Sequence, residues 1–362
     1  MSSTRWYEQI KVSNKNVKHI LVVCSTATKP RFEIDKKLRK VFKDSNFFFL
    51  CEDYFDGDFE YIKKLVNNVI NKEFDLIISL GGGSTIDFTK TLISFKYLKI
   101  NKKKILEQNI NKIRKKRTNT FIAIPTTAGS GSESTQFAVV YIKKKKFSIE
   151  NPILLPDQYI LDPQLSFTCK KSQKIASSLD ALCQGIESHW SKLSTPESRK
   201  LSAKSIELIW RNIKYAIIDN NFEKHKKIVL GSNLAGKAIN LTKTTANHAL
   251  SYYISKTYSV PHGLSVILTL PAFIDFYCTK KNKKVFETLK LLEEVLGVKK
   301  ENISTTIREM LCELGVKTSL LKYSITKDQV KRITNSVDPI RLKNNPIKLT
   351  KENLIGILNN SF

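Results

Sequence analysis

The sequence predicts two domains: an N-terminal α/β domain built on a parallel sheet, and a C-terminal domain made only of helices. Up to about residue 163, short apolar runs rich in β-branched residues alternate with helical segments, which is typical of a parallel sheet covered on both faces. Beyond residue 172, long helical periodicities replace the strands. A chain of 362 residues is also longer than one ordinary core requires. We therefore predict one domain over residues 1–165 and another over residues 166–362.

The predicted strands of the first domain are short apolar runs, and helical spacing fills the gaps between the first three of them. The strands cover residues 20–24, 47–51, 76–80, 120–124 and 138–142, and the helices cover residues 32–42 and 59–69. Because the strands alternate with helices, we predict a parallel sheet that contains these strands.

The second domain is predicted from apolar residues at helical spacing. Its helices cover residues 175–190, 197–218, 286–296 and 303–314. A further helix-like stretch follows His248, and a Pro/Gly turn surrounds His262. The residues beyond about 280 carry no motif that indicates a function.

The net charge is +28, from 61 Lys and Arg against 33 Asp and Glu, which invites a nucleic-acid interpretation. The basic clusters are dispersed, however, and accompany no nucleic-acid-binding motif; they cover residues 102–104, 114–117, 143–146 and 280–284. We therefore interpret them as solvated surface and expect no nucleic-acid partner. Attraction of an anionic substrate or cofactor is the alternative.

The cysteines and the N-terminus indicate a cytoplasmic protein. Six cysteines are scattered without a CxxC pair, which favours free thiols in a reducing compartment over a disulfide framework. The first residues, MSSTRWY, lack the apolar core of a signal peptide, and no apolar run approaches the length of a membrane span. We therefore expect no membrane partner.

A glycine-rich loop lies between the third strand and the helix that follows it. The loop residues are Gly81, Gly82, Gly83 and Ser84. Glycines there let backbone N–H groups approach a phosphate closely, and the helix N-terminus adds partial positive charge. Asp87 and Lys90 follow in the helix, on the side nearer the loop. The alternative is a plain turn with Ser84 as the helix N-cap.

A second loop, residues 125–135 with the sequence PTTAGSGSEST, follows the next strand. Its hydroxyls and glycines are suited to ribose, phosphate or the amide of a nicotinamide. A flexible linker has a similar composition, but the flanking strands count against that alternative.

Two of the five histidines, His248 and His262, lie fourteen positions apart. Neutral imidazole is the commonest transition-metal ligand in proteins, and the two rings can close on one ion if the chain folds back between them. Asp180 and Gln184, four residues apart on one helix face, become candidate ligands from another element. The alternative for each histidine is a structural role.

The chain resembles the iron-containing (group III) alcohol dehydrogenase family in the order and spacing of four segments: GGGSTIDFTK, PTTAGSGSEST, DALCQGIES, and NHALSY with VPHG. The resemblance runs from about residue 20 to residue 277. It implies a dehydroquinate synthase-like fold, in which a Rossmann-like nucleotide-binding domain and a helical domain enclose the active site in the cleft between them. It also implies a homodimer.

The resemblance implies a role for each matching residue. The cofactor pyrophosphate would be held by Gly81, Gly82, Gly83 and Ser84, and the rest of the nucleotide by Asp87, Thr126, Thr127, Ser132 and, at the ribose, Lys146. The metal ligands would be Asp180, His248 and His262, with Gln184 in the fourth position.

Gln184 departs from the family, which usually has histidine at this position. An amide oxygen is a weaker, neutral ligand that suits harder cations. The resemblance implies Fe²⁺; the alternatives are Zn²⁺ or another divalent ion, three strong ligands plus water, or loss of the metal.

Two further departures concern the substrate. Lys243 stands where the family usually has a small residue, and Tyr252 where a second helix histidine is common. The segments KTTANHALSY, CQGIESHWS and KFSI are similar to the phosphonoacetaldehyde reductase branch, which makes 2-hydroxyethylphosphonate in phosphonate biosynthesis. Lys243 and the hydroxyls of Thr244 and Thr245 suit a phosphonate dianion. The alternatives are a solvated lysine and a packed aromatic ring.

The predicted reaction is direct hydride transfer from NAD(P)H to a small aldehyde, with a divalent metal as Lewis acid and a proton from water or a relay that includes Tyr252. The catalytic candidates are His248, His262, Tyr252 and Lys243. Glu52 and Asp53, at the end of the second strand, favour NAD, and NADP stays open. Reduction of another small aldehyde, and a nucleotide-binding protein without catalysis, are the alternatives. A nucleic-acid binder comes last.

Overall fold

The computed structural model describes residues 5–12, 17–55, 57–107, 109–143, 145–337 and 339–362. The chain divides into two compact units, Met1–Cys169 and Lys170–Phe362. All strands of the described residues lie in the first unit, and the second unit is helical wherever it has regular structure. This is the predicted combination of an α/β domain with a helical domain.

Seven strands among the described residues form two sheets in the first unit. They are β1 (His19–Ser25), β2 (Asn46–Glu52), β3 (Leu76–Gly81), β4 (Thr120–Pro125), β5 (Phe137–Ile142), β6 (Lys145–Glu150) and β7 (Gln158–Tyr159). The larger sheet has the order β2-β1-β3-β4-β7, and every neighbouring pair is parallel. The loops that follow β1 to β4 therefore start from the same edge of the sheet, where ligands bind in open α/β sheets.

The strand predicted at residues 138–142 is present as β5, but its place in the parallel sheet was wrong. It pairs with β6 in a separate antiparallel sheet, and the fifth parallel strand is the two-residue β7. Ile142 pairs with Lys145, so only two residues separate the two strands. A connection this short joins antiparallel strands only, because a parallel pair needs a crossover of a dozen residues or so.

Helices cover both faces of the parallel sheet. They are α1 (Thr28–Arg31), α2 (Ile34–Val41), α3 (Phe59–Val66), α4 (Gly83–Leu98), α5 (Lys102–Leu106) and α6 (Pro163–Phe167). Successive strand residues point to opposite faces. Leu21 and Ile77 enter one core together with α3 and α4, whereas Ile20 and Ile78 enter the other together with α2. Burial on both faces explains why these strands are continuously apolar.

Twelve α-helices are described in the second unit. They are α7 (Lys171–Trp190), α8 (Pro196–Trp210), α9 (Ile213–Ile217), α10 (Phe222–Thr242), α11 (Ala246–Tyr258), α12 (His262–Ile267), α13 (Leu270–Cys278), α14 (Lys283–Leu296), α15 (Ile303–Glu313), α16 (Val330–Asn335), α17 (Pro339–Leu342) and α18 (Lys351–Asn359). Every residue of α7 from Ser178 to Trp190 is buried. Polar side chains on this helix therefore need partners inside the unit.

The helix predicted over residues 197–218 is two helices, α8 and α9. Asn212 lies between them with φ −122° and ψ −14°, outside the helical region. Its side-chain amide donates to the carbonyl oxygen of Leu208 at 2.8 Å. Asparagine side chains compete with the backbone in this way, which accounts for the break.

No single helix of the described residues is long and apolar enough to cross a membrane. The segments His262–Cys278 and Lys283–Leu296 reach the length and apolar composition of a membrane span only when they are taken together. The two segments are bent by 117° at the break between them.

Candidate functional site

Three predicted metal ligands converge in the second unit. Asp180 lies in α7, His248 in the first turns of α11, and His262 at the first residue of α12. Asp180 Oδ1 is 3.2 Å from His248 Nε2 and 3.7 Å from His262 Nε2. One ligand atom from each residue lies within 4.8 Å of the other two. Ligand atoms about 3.4 Å apart are expected around a tetrahedral ion with bonds of about 2.1 Å.

The donor set fits a divalent transition metal. Two imidazoles and one carboxylate, with open positions beside them, suit Fe²⁺ or Zn²⁺. The Asp180 and His248 side chains keep only 9% and 4% of their surface exposed, whereas His262 keeps 39%. An ion held there would therefore be enclosed on the side of Asp180 and His248 and accessible on the side of His262.

Gly263 permits the close approach that brings His262 to Asp180. A Cβ atom added at Gly263 would overlap the carbonyl oxygen of Ala176 and would lie 3.0 Å from Asp180 Cβ. The first turn of α12 therefore packs directly on the backbone of α7. Any larger residue at this position would push His262 away from Asp180.

Glu187 is a further residue of this centre that was not predicted from the sequence. Its side chain is fully buried in α7, and its Oε2 accepts a hydrogen bond from His248 Nδ1. Its Oε1 accepts from the backbone N–H groups of Thr245 at 3.0 Å and His248 at 3.3 Å, and from the Thr245 hydroxyl at 2.6 Å. Metal-bound histidines usually donate their other ring N–H to such a carboxylate.

A spacing signal for Glu187 was present in the sequence. Asp180, Gln184 and Glu187 stand at positions i, i+4 and i+7, which form one stripe along a helix. Three polar residues on one stripe of a buried helix indicate a shared site. The identity of the partner on α11 could not be predicted, because it depends on how two distant segments pack.

The two carboxylates change the protonation of His248. Burial alone would lower its pKa, but the charge of Glu187 and hydrogen bonds to Asp180 and Glu187 outweigh burial and raise the pKa to about 10. Without a cation, His248 is therefore protonated on both nitrogens at neutral pH. A metal that binds Nε2 must displace that proton, so metal binding weakens as the pH falls.

Gln184, the predicted fourth ligand, lies beside Asp180 in the structure. It is buried, and its Nε2 donates to Asp180 Oδ2 at 3.1 Å. This hydrogen bond orients the carboxylate so that its other oxygen, Oδ1, faces the two histidines. Gln184 therefore helps to hold the carboxylate of Asp180 in position.

Tyr252 and Lys243 lie on either side of His248 in the chain. The Tyr252 ring stacks on the His262 ring at 5.7 Å between centroids and 11° between planes.

Lys243 is exposed in the loop between α10 and α11, and Thr244 is half-buried. The Thr245 hydroxyl donates to Glu187 and accepts from the Trp190 side chain at 3.1 Å. The expectation that both threonine hydroxyls are available to a dianion is therefore wrong for Thr245.

The glycine-rich loop is described in the first unit, at the carboxyl end of β3. A Cβ atom at Gly83 would lie 2.6 Å from Ser130 Oγ, and one at Gly82 would be in ordinary contact with Thr127 Cγ2 at 3.4 Å. The N–H of Thr126 donates to the carbonyl oxygen of Gly81 at 3.0 Å. The two predicted nucleotide loops are therefore packed against each other, and Gly83 has no room for a side chain.

The first turn of α4 has no side-chain cap, because its N-cap residue is Gly82. Ser84 is exposed, and Thr126 and Thr127 lie on the neighbouring loop after β4. A 16-residue helix with an uncapped N-terminus presents backbone N–H groups that suit an anion.

Asp87 and Ser132 lie in a hydrogen-bond network inside the first unit. The Ser132 hydroxyl donates to Asp87 Oδ1 and accepts from Lys90 Nζ at 3.1 Å, and Asp87 Oδ2 accepts from the Val139 N–H at 3.0 Å. Lys90 is fully buried, and burial lowers its pKa to about 8. This network therefore fixes the position of Ser132 in the loop after β4. Burial raises the pKa of Asp87, and the charges of Lys90 and of Lys146, which is half-buried in β6, oppose this only in part.

The two acids at the end of β2 have different surroundings. Glu52 Oε2 accepts from the Tyr61 hydroxyl at 3.1 Å. Asp53 is exposed, and its Oδ1 accepts from the Thr26 hydroxyl in the loop after β1. Asp53, rather than Glu52, is therefore the acid that a ligand could reach at this edge of the sheet.

Comparison with known proteins agrees with these features. The N-terminal family model, described as iron-containing alcohol dehydrogenase, matches residues 6–163, and the C-terminal model of the Fe-containing alcohol dehydrogenase family matches residues 174–362. The 4-hydroxybutyrate dehydrogenase of Clostridium kluyveri is 28% identical over 284 residues, which cover 77% of this chain and 75% of that enzyme.

Solved structures show the same fold. The iron-containing alcohol dehydrogenase of Thermococcus thioreducens has a TM-score of 0.84 at 23% identity, covering 95% of this chain and 93% of that chain. The sulfoacetaldehyde reductase of Bifidobacterium kashiwanohense, solved in complex with NAD+, has a TM-score of 0.81 at 23% identity, with coverages of 95% and 90%. The predicted fold and family are confirmed: this chain belongs to the iron-containing alcohol dehydrogenase family and is an oxidoreductase.

Proposed function

We propose that this alcohol dehydrogenase reduces a small aldehyde with an anionic end group to its alcohol, using NADH, and that phosphonoacetaldehyde is the first substrate to test. The observation that carries the proposal is the convergence of Asp180, His248 and His262 on one point. A member of this family that retains three strong ligands retains the means to polarise a carbonyl group.

Asp180, His248 and His262 would hold the divalent cation, with Gln184 orienting Asp180. When bound, the cation supplies Lewis-acid polarisation of a carbonyl oxygen, which favours hydride transfer to the carbonyl carbon. Glu187 keeps the proton of His248 on Nδ1, so that Nε2 is the nitrogen available for ligation. Fe²⁺ is the ion that the family implies.

Tyr252 is the candidate for proton delivery. Its ring stacks on that of His262, the half-exposed member of the centre. A phenol or a water molecule beside it can give a proton to the alcohol oxygen as the product forms. A histidine at position 252, where a second helix histidine is common in the family, would lack this phenol.

The nucleotide is proposed to bind the first unit at the carboxyl edge of the parallel sheet. Its pyrophosphate would lie at the uncapped N-terminus of α4, on Gly81, Gly82, Gly83 and Ser84. Thr126 and Thr127 would line the neighbouring loop, Asp87 and Ser132 would hold that loop in place, and Lys146 would act near the ribose. Adjacent parallel strands, β3 and β4, carry the two loops.

The exposed carboxylate of Asp53 supports NAD as the cofactor. An acid at this edge of the sheet accepts from the ribose 2′-OH and repels the 2′-phosphate of NADP. Asp53→Ser is expected to lower the ratio of kcat/KM with NADH to kcat/KM with NADPH at least about tenfold. Steady-state kinetics with both cofactors measures this ratio, and Glu52→Gln, whose carboxylate accepts from Tyr61, is the control. A wild-type enzyme that prefers NADPH would refute the assignment.

The anionic end group is proposed from a positive charge close to His248 in the chain. Lys243 is exposed five residues before His248, in a position where the family usually has a small residue, and the half-buried Thr244 adds a hydroxyl. The alcohol named for the Clostridium kluyveri relative, 4-hydroxybutyrate, also carries an anionic group, a carboxylate. A lysine ammonium and a hydroxyl are suited to a phosphonate, sulfonate or carboxylate oxygen.

A cofactor-oxidation assay over paired aldehydes tests the proposal. NADH oxidation by the metal-loaded enzyme is measured with phosphonoacetaldehyde and with butanal, an uncharged aldehyde of similar length, and the metal content is measured by elemental analysis. We expect kcat/KM to be at least about tenfold higher with phosphonoacetaldehyde. Equal efficiency with both aldehydes would reject an anionic substrate. Absence of metal and of oxidation with every aldehyde would favour a nucleotide-binding protein without catalysis.

A further inference from the structure

The segment at residues 341–345 carries no sequence motif, yet it bonds directly to the loop before His248. Asn344 Nδ2 donates to the carbonyl oxygen of Thr242 at 2.6 Å and to that of Thr244 at 3.0 Å. Asn344 Oδ1 accepts from the Ser191 hydroxyl at 2.7 Å. This one side chain therefore ties the loop between α10 and α11 to the end of α7.

Lys243, the residue between the two carbonyl groups that Asn344 binds, has an unusual backbone conformation. Its φ is 61° and its ψ is 178°. This region is otherwise almost confined to glycine and persists only where the surroundings determine it. The N–H of Lys243 donates to Ile239 at 2.7 Å, and its carbonyl oxygen accepts from the Thr242 hydroxyl at 2.9 Å. Hydrogen bonds on both sides, including those of Asn344, hold Lys243 in place.

Arg341 lies against the same centre. Its guanidinium carbon is 4.9 Å from the centroid of the Tyr252 ring, which in turn stacks on His262. Arg341 is half-buried in α17, and it forms no ion pair with any carboxylate of the described residues. A guanidinium on an aromatic face keeps its N–H edge available for an anion.

We propose that Arg341 and Lys243 are the two cations that recognise the anionic end of the aldehyde, and that Asn344 is the positioning residue that holds Lys243. This inference rests on the proposed function and assigns the substrate group to specific residues. The planar guanidinium can bind two oxygens of a phosphonate, sulfonate or carboxylate at once, and the lysine adds a point charge. An uncharged aldehyde gains no binding free energy from either cation.

Arg341→Ala is the direct test, with Lys343→Ala as the matched control. Lys343 is an exposed cation of the same segment, outside the contacts described for Arg341 and Asn344. For each variant, kcat/KM is measured with phosphonoacetaldehyde and with butanal, and their ratio gives the preference for the anion. We expect Arg341→Ala to lower the ratio at least about tenfold, mainly through KM, and Lys343→Ala to leave it unchanged.

Arg341→Lys and Asn344→Ala extend the test. The lysine variant keeps the charge without the planar fork and should fall between the wild type and Arg341→Ala. Asn344→Ala releases the loop and should also lower the ratio, because Lys243 loses its fixed position. If Asn344→Ala reduced kcat with both aldehydes equally, the side chain would be merely structural and its positioning role would be refuted.

The outcomes separate this inference from the proposed function. A wild type that prefers phosphonoacetaldehyde, together with an Arg341→Ala variant that keeps the full preference, overturns the role of Arg341 and leaves the proposed function intact. A wild type without any preference for the anion overturns both. A lowered ratio in Arg341→Ala and an unchanged ratio in Lys343→Ala support both.

Discussion

Replacing His262 with alanine is expected to abolish the reduction while nucleotide binding survives. The change removes one of two imidazole ligands, and the remaining Asp180 and His248 cannot hold a divalent ion tightly by themselves. Loss of the Lewis acid should lower kcat/KM at least about 10³-fold, which corresponds to about 4 kcal/mol of transition-state stabilisation. The nucleotide loops belong to the first unit, and His262 belongs to the second.

His262 is a better choice than His248 for this experiment because it is 39% exposed and its removal leaves little buried space. His248 is buried and hydrogen-bonded, so its loss would also damage the fold. Elemental analysis should show a loss of metal, and fluorescence titration should show that NADH binding is retained. The control is His19→Ala, at an exposed position of β1. Full turnover in His262→Ala would end the case for a metal role.

Replacing Glu187 with glutamine is expected to weaken metal binding about 10- to 100-fold, although the shape of the side chain barely changes. Glu187 Oε1 accepts from three donors and Oε2 from His248 Nδ1. A glutamine that keeps its oxygen toward the three donors would place its NH₂ group against His248 Nδ1. The histidine would then carry its proton on Nε2, and this tautomer cannot ligate a metal through that nitrogen.

Competition with a chelator measures the metal affinity of Glu187→Gln, and thermal unfolding measures its stability. The stability should also fall, because a neutral amide would replace a fully buried carboxylate that accepts four hydrogen bonds. Glu197→Gln makes the same chemical change at an exposed position of α8 and should alter neither property. Wild-type metal affinity in Glu187→Gln would show that Glu187 does not set the tautomer of His248.

The local pattern of apolar residues was sufficient to predict most of the secondary structure of the first unit. The strands β1 to β4 follow from continuous apolar runs, because a strand buried on both faces has no polar side. The loop at Gly81 and the candidate ligands Asp180, His248 and His262 follow from short segments whose order and spacing match one family. Each of these features depends on residues that are close together in the chain or on a recurring motif.

Contacts between distant segments decided the rest. The antiparallel pairing of β5 with β6 depended on a two-residue connection, which apolar runs alone do not distinguish from a longer one. The bond from Glu187 to His248, the packing of Gly263 on Ala176, and the contacts of the last segment with the loop at Lys243 all join residues separated by tens of positions.

The sequence by itself therefore determined the family, the two-domain class and the three candidate metal ligands, because these depend on short motifs and local periodicity. Only the tertiary structure decided which carboxylate orients His248, which asparagine holds Lys243, and that Arg341 stands beside Tyr252. The residues near each partner in the chain do not predict such pairings, because the partners come together only when distant helices pack.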